Sequence, residues 1–251
     1  MKSILIILVI SYILLCLLLF LFQRSFLYFP QSAGEVTGIP EVSFNHRGLK
    51  LSGWVVNPNN NAAIIYYGGN AESVENNIEF FRRVTPDYTV YLIPYRGYGK
   101  NGGEPTESNL YADALFVYDE VQAQHSSISL IGRSLGSGVA TYVAANRDIA
   151  KLILVTPYDS IENVAKSHYR IFPVSLLITD KYLSVERAPD IEKPTLLLVA
   201  EHDQVIPRER SDNLARHISQ KFLTQVIIDR AGHNDISFYP EYSESIQRFL
   251  E

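Results

Sequence analysis

A serine between glycines, an aspartate and a histidine follow one another along this chain, and together they could carry out acyl transfer through a covalent intermediate. The serine is Ser134, in Gly132-Arg133-Ser134-Leu135-Gly136. A G-x-S-x-G pattern alone is common by chance. Here, however, an apolar run ends at Ile131, and a helix-forming stretch follows with the small residues Gly138, Ala140, Ala144 and Ala145. Strand, sharp turn and helix are the setting of a nucleophile elbow. The glycines are needed because the serine sits on a strained turn, where flanking side chains would collide with neighbouring chain. The following helix aims its first amides at charge developing beside Ser134.

A serine hydroxyl needs a base, and the base needs an orienting acid. Six histidines are present. His233, in Ala231-Gly232-His233-Asn234-Asp235, lies after the last strand-like run and before the final helix, which selects it as the base. His46, His125, His168, His202 and His217 lie before the core, at a helix end, in an irregular connection, beside the acid and within a helix. For the acid, Asp203 follows the run Thr195–Val199, and loops at strand C-termini are where α/β sites form. Asp159 also follows a strand and is the alternative; Asp235 and Glu201 rank below both. Two backbone amides are expected to form an oxyanion hole. One is that of Leu135, directly after the nucleophile. The other is that of Asn70 in Gly68-Gly69-Asn70-Ala71, where glycine allows close approach to a ligand.

These residues require a scaffold of alternating strands and helices. Strand-like runs occur at Leu51–Val56, Ala62–Tyr67, Thr89–Ile93, Ile128–Ile131, Lys151–Val155, Thr195–Val199 and Leu223–Ile228. Several are apolar throughout, as strands buried on both faces should be. Amphipathic periods predict helices at Ser73–Val84, Ser108–Gln124, Leu135–Asn146, Arg208–Ser219 and Pro240–Leu250. The alternation predicts an α/β domain with a mostly parallel central sheet covered by helices on both faces. The stretch from Thr156 to Pro194 has no clear strand and contains a proline-broken apolar run at 171–178. A functional lid and an ordinary helical crossover fit it equally.

The N-terminus departs most from average composition. From Ile4 to Phe22 the chain is almost wholly apolar, with Ser11 and Tyr12 as mild exceptions. At about 1.5 Å per residue this matches the roughly 30 Å hydrocarbon core of a bilayer. A buried core helix would be shorter and carry a polar stripe. A cleaved signal peptide would have a shorter apolar region and small residues before the cut. The reading is therefore an uncleaved anchor over residues 1–24 and a juxtamembrane connector over 25–40. A single domain over 41–251 follows, with a possible cap at 157–193. The Met1 amine and Lys2 outnumber Arg24, which favours a single-pass protein with its domain on the non-cytoplasmic side.

Composition excludes other classes. The chain has 251 residues, 47% hydrophobic and 20% charged, with a net charge of −5. That length accommodates one α/β domain. No basic run marks a nucleic-acid partner. The lone Cys16 excludes an intrachain disulfide. Neither a metal-ligand cluster nor a nucleotide-binding loop is visible, so no cofactor is implied.

Taken together, the chain resembles the Bem-type branch of the α/β-hydrolase superfamily, which includes small membrane-anchored hydrolases, some of them acyl-protein thioesterases. The resemblance runs from about Gln23 to the C-terminus. It rests on Gln23-Arg24-Ser25-Phe26-Leu27-Tyr28-Phe29-Pro30, Tyr95-Arg96-Gly97-Tyr98-Gly99, Gly132–Gly136, Asp203–Pro207 and Gly232-His233-Asn234-Asp235. The family pattern has histidine where Gly68 stands, so the hydrogen bonding of that loop should differ. The Tyr95–Gly99 run resembles a structural loop near the family's site, with Arg96 as a packing or salt-bridge residue. The resemblance implies a membrane-anchored serine hydrolase acting on an ester or thioester of a lipid-like or acylated substrate. A peptidase or amidase of the same fold, and a non-catalytic membrane-binding protein on this scaffold, are the alternatives.

Overall fold

The computed structural model describes all 251 residues. Its centre is an eight-stranded sheet: β1 Glu41–His46, β2 Leu49–Val56, β3 Ala62–Tyr67, β4 Tyr88–Leu92, β5 Ser127–Arg133, β6 Leu152–Val155, β7 Thr195–Ala200 and β8 Leu223–Ile228. The spatial order is β1-β2-β4-β3-β5-β6-β7-β8. β1 pairs with β2, and β2 with β4, antiparallel; every later pairing is parallel. The fully apolar runs take the middle of the sheet. Ile64, Leu130, Ile131 and all four residues of β6 are inaccessible to solvent, because helices cover both faces.

The helices are α1 Lys2–Leu27, α2 Ile78–Val84, α3 Glu107–Gln122, α4 Leu135–Asn146, α5 Ile161–His168, α6 Val174–Leu177, α7 Ser184–Arg187, α8 Arg208–His217 and α9 Pro240–Leu250. Thr106 caps α3 and Ser160 caps α5, each side-chain oxygen accepting the amide three residues on. Two apolar cores form, one on each face of the sheet. One packs α3, α4 and α8; the other packs α2 and α9.

Three sequence expectations are adjusted. β1 is an additional strand that periodicity did not reveal. Its residues alternate in exposure and only Phe44 is buried, as on a sheet edge with one wet face. It pairs with β2 through a two-residue turn in which Arg47 and Gly48 both have positive φ (51° and 76°), the hairpin geometry that matches strand twist. The helix expected from Ser73 opens instead as a 3₁₀ turn, Val74–Asn77, before α2. His217, expected within a helix, is the last residue of α8.

The strandless stretch from Thr156 to Pro194 forms α5, α6, α7 and connecting turns. It rises over the C-terminal end of the sheet and meets α1. α1 is 26 residues long, has a mean hydropathy of 3.3 in its most apolar window and buries none of its residues in the domain. It is long and apolar enough to cross a membrane. It runs three residues past Arg24, so Phe26 and Leu27, expected in the connector, are helical. Tyr28, also within the expected connector, is buried. Its hydroxyl meets Asp180 at 3.1 Å and Tyr182 at 2.9 Å.

Candidate active site

Parallel strands deliver four loops to one edge of the sheet. The loop after β3 carries Gly68–Ala71, β5 leads to Ser134, β7 leads to Asp203, and β8 leads to His233. Ser134 stands between β5 and α4 at φ 49°, ψ −115°, a conformation that a side chain rarely adopts. Its amide bonds Val155 O at 2.9 Å, which fixes the turn to the neighbouring strand. The glycines on either side are sterically required. A Cβ at Gly132 would strike Gly136 O and Ala140 Cβ, and one at Gly136 would strike Tyr67 O.

Ser134 Oγ lies 2.9 Å from His233 Nε2, and His233 Nδ1 lies 2.8 Å from Asp203 Oδ2. A carboxylate only accepts, so Nδ1 carries the proton and Nε2 offers its lone pair to the serine hydroxyl. The other Asp203 oxygen accepts from Val205 N at 2.9 Å and Ile206 N at 2.7 Å. Asp203 is therefore held on both edges, and its side chain is 3% exposed. The arrangement can withdraw a proton from Ser134 as its oxygen attacks a carbonyl.

The two expected oxyanion donors sit differently. Leu135 N is in the first turn of α4, where amides lack an intrahelical partner. In the opposite wall, a Cβ on Gly69 would lie 3.7 Å from both Ser134 Cβ and Arg133 O, so the 68–71 loop passes directly beside the serine. The Gly69 amide is taken by Glu72 Oε2 at 2.5 Å, whereas the Asn70 amide has no protein acceptor. The Asn70 side chain is occupied elsewhere. Its Nδ2 donates to Leu27 O at 2.6 Å, and its Oδ1 accepts from Tyr98 OH at 2.7 Å and Phe29 N at 3.0 Å. The side chain ties the loop to the end of α1 and leaves the backbone N–H for a ligand. At Gly68, a Cβ would press on Val74 Cγ1, so a larger residue there requires Val74 to shift.

Residues that the motifs did not single out hold this loop. Glu72 accepts from Gly69 N, from Tyr66 OH at 2.7 Å and from Asn77 Nδ2 at 2.7 Å, and stands 3.6 Å from Arg133. Arg133 reaches on to Asn234 O at 3.4 Å, next to His233. A part-buried relay thus links the 68–71 loop, the Ser134 turn and the His233 loop. Burial lowers the affinity of Arg133 for its proton, but Tyr66 and Glu72 outweigh it and hold the guanidinium above its ordinary value. Burial, with Glu72 adding, drives the Tyr66 phenol well up, so it stays a donor. The Tyr95–Gly99 run supplies two struts, Tyr95 OH to Gly68 O at 2.8 Å and Tyr98 OH to Asn70. Arg96 forks onto Asp113 at 2.7 and 2.5 Å, away from the serine, as a salt-bridge residue. In sequence, the only signal for Glu72 was an acidic residue directly after a glycine loop.

The remaining candidates lie apart. Asp159 is fully buried under Asn163, Asn213, Arg210 and its own Ser160 amide. Asp235 accepts from Gly232 N, and Glu201 from Arg230 N. His46 pairs with Asp113, His125 with Tyr91, and His217 with Asn213 O. His202 stands 3.7 Å from Glu201. His168 donates to Val205 O at 3.0 Å, joining α5 to the loop that carries Asp203.

Comparison with known proteins places this architecture. No family model matches the chain. It is 31% identical over 250 residues to an uncharacterized protein of Mycobacterium tuberculosis, covering 91% of this chain and 87% of that one. It is 31% identical over 210 residues to the mouse lysophosphatidylserine lipase ABHD12, covering 72% of this chain. It is also 26% identical over 202 residues to the Caenorhabditis elegans α/β-hydrolase domain-containing protein aho-3, covering 77% of this chain. The chain spans 53% and 59% of the length of these last two. The solved esterase Pf2001 of Pyrococcus furiosus superposes with a TM-score of 0.71 at 20% identity, covering 89% of this chain and 98% of that structure. A doubly covered parallel sheet, an elbow at the end of β5 and these relatives lead to one assignment: the chain belongs to the α/β-hydrolase superfamily.

Proposed function

We propose that this protein is a serine hydrolase, anchored in a membrane by α1, that cleaves an ester or thioester of an acylated or lipid-like substrate. One observation carries the reading: an unbroken chain from Ser134 Oγ through His233 to Asp203, at 2.9 and 2.8 Å, beside two amides suited to an oxyanion. His233 takes the proton from Ser134 as its oxygen adds to the carbonyl. The Leu135 and Asn70 amides stabilise the developing oxyanion. His233 then protonates the leaving alcohol or thiol, with Asp203 holding it in the required tautomer. Water enters and gives a proton to His233 as its oxygen adds to the acyl carbon; the bond from that carbon to Ser134 Oγ then breaks, His233 returns the proton to Ser134, and the acyl group leaves as a carboxylic acid.

The preference for acylated substrates is supported by the length and apolarity of α1 and by the lipase activity in the name of the mouse relative. For the topology, the Met1 amine and Lys2 on one side of α1, against Arg24 on the other, support a cytoplasmic N-terminus.

A fluorophosphonate probe tests the assignment on the full-length protein in detergent. Wild type is expected to label, and Ser134→Ala to lose labelling together with ester turnover, by on the order of 10⁶ in kcat. A folded wild type that neither labels nor turns over short- and long-chain esters and thioesters would overturn it.

A further inference from the structure

The segment between α5 and α7 pairs most of its backbone polar groups and exposes two large apolar side chains. Ile171 is 75% exposed and Leu176 82%. Much of the backbone of this irregular turn is satisfied within the protein, the amides of Arg170, Ile171 and Ser175 excepted. Phe172 N bonds Tyr169 O, Leu176 N bonds Pro173 O, and Ile178 N bonds Val174 O. Three further groups are satisfied by α1 itself. Tyr12 OH donates to Ile171 O at 2.7 Å, Gln23 Nε2 to Leu177 O at 3.0 Å, and Gln23 Oε1 accepts from Thr179 N at 2.7 Å. Tyr12 also stacks on Phe172, with ring planes 2° apart. Water-facing loops leave carbonyls to solvent and hide leucines. Internal pairing of irregular backbone beside an apolar surface is what a hydrocarbon environment demands.

The contacts also set a depth. Gln23 and Arg24 meet Leu177–Asp180, whereas Tyr12, about 18 Å further along the helix axis, meets Ile171 and Phe172. If α1 spans a bilayer with Gln23 and Arg24 at the surface, the tip of the turn lies within the roughly 30 Å hydrocarbon layer. Arg170 is the one charge next to that tip, and its guanidinium turns back to Ser167 O at 3.4 Å, in the direction of the headgroups. The catalytic edge is continuous with this surface. Asn70, beside Ser134, holds Leu27 O and Phe29 N at the end of α1.

We infer that the turn from Tyr169 to Ile178 is seated in the lipid bilayer beside α1, so that the Ser134 site draws its acyl chain from the membrane and not from water. The second half rests on the hydrolase reading above; the first does not. The test uses full-length protein in phosphatidylcholine vesicles. On a Cys16→Ser background, an environment-sensitive nitrobenzoxadiazole label is placed at Ile171→Cys, Leu176→Cys or, as a control at the opposite edge of the sheet, Glu120→Cys. Labels at 171 and 176 are expected to be quenched by acyl-chain nitroxide lipids and protected from iodide, and the label at 120 to show the reverse. Iodide access at 171 and 176 equal to that at 120 overturns the seat. So does protection without lipid quenching that disappears on dilution, which would make the face a contact between two copies.

The activity arm pairs Ile171→Asp with Leu176→Asp. Hydrolysis of a water-soluble acetyl ester is expected to stay within twofold of wild type, while hydrolysis of a long-chain ester embedded in vesicles falls at least tenfold. Equal rates on both substrates overturn membrane extraction. A wild type inactive on both defeats the hydrolase reading and with it the second half, while the quenching result still decides the seat.

Discussion

In Glu72→Gln the side chain keeps its shape but loses its charge and one acceptor oxygen. The carboxylate now serves Gly69 N, Tyr66 OH and Asn77 Nδ2, with Arg133 at 3.6 Å. An amide has one acceptor oxygen. If that oxygen stays on Gly69 N, the NH₂ group faces Asn77 and Arg133, both donors. If it turns to Tyr66 and Asn77, the NH₂ group faces the Gly69 amide. Either way a donor is stranded, at about 1–3 kcal/mol when buried. Arg133 is 18% exposed at its side chain, so water compensates part of its loss and about 2 kcal/mol is the working figure. For a domain of this size that is a drop in Tm of about 4–8 °C. In the second orientation the 68–71 loop also rotates and the Asn70 amide leaves the oxyanion position, which costs up to ~10²–10³ in kcat. The expected result is a kcat lowered at least tenfold with KM within about threefold, because the loop acts on the transition state and not on the acyl chain. Steady-state kinetics with a soluble ester, active-site titration and a thermal melt on the same preparation give all three numbers. A lower Tm with kcat within threefold of wild type would refute the reasoning, since Glu72 would then support the fold and leave the oxyanion hole untouched.

Four further outcomes are expected. Asp203→Asn keeps the packing but no longer fixes the His233 tautomer, so kcat should fall by about 10⁴ while fluorophosphonate labelling slows in proportion. Gly136→Ala drives a methyl into Tyr67 O, and circular dichroism with probe labelling should show an unfolded or unlabelled protein; wild-type labelling would contradict the steric account. Asn70→Ala keeps the backbone donor, so its loss in kcat should stay below tenfold, while limited proteolysis should cut the 28–40 connector faster because Leu27 O loses its side-chain donor and Phe29 N keeps only Tyr98 OH. Glu162 is held at about 2, first by Lys166, with Ser175 and Lys181 adding, against the upward pull of burial. Its folded value lies below the unfolded one. The stability it gives the base of the 156–194 stretch is therefore complete above about pH 4.5 and fades as pH falls towards 2. Hydrogen-exchange protection in α5, taken relative to the intrinsic amide rate at each pH, should fall across that window in wild type and stay constant in Glu162→Gln.

The sheet was legible because its central strands are apolar runs too short for buried helices, rich in β-branched residues and alternating with amphipathic stretches. β1 was hidden for the opposite reason. An edge strand with a wet face reads Glu-Val-Ser-Phe-Asn-His, and only its pairing with β2 makes it a strand. Chain order and strand ends brought forward Ser134, Asp203 and His233, since a loop's place after a strand fixes which edge of the sheet it joins. Glu72 and Arg133 were not legible as a pair. Sixty-one positions separate them, and what joins them is the parallel pairing of β3 with β5. The role of Tyr28 was hidden too. Local pattern marks an aromatic beside an apolar helix as interfacial, and nothing local announces Asp180 and Tyr182 as its hydroxyl partners.

Tyr28 also bears on where this polypeptide can be severed. It lies outside the sheet-and-helix domain in sequence yet is only 4% exposed, packed in the same core as α3 and α4. A protease that freed the domain at Ala33 would remove it and leave a void of aromatic size, a loss of about 3–5 kcal/mol by analogy with large-to-small core substitutions. It would also leave Asp180 without both Arg24 and the phenol. The end of α1 is therefore one piece with the globule, and a detached form that keeps these contacts has to retain Arg24 and Tyr28.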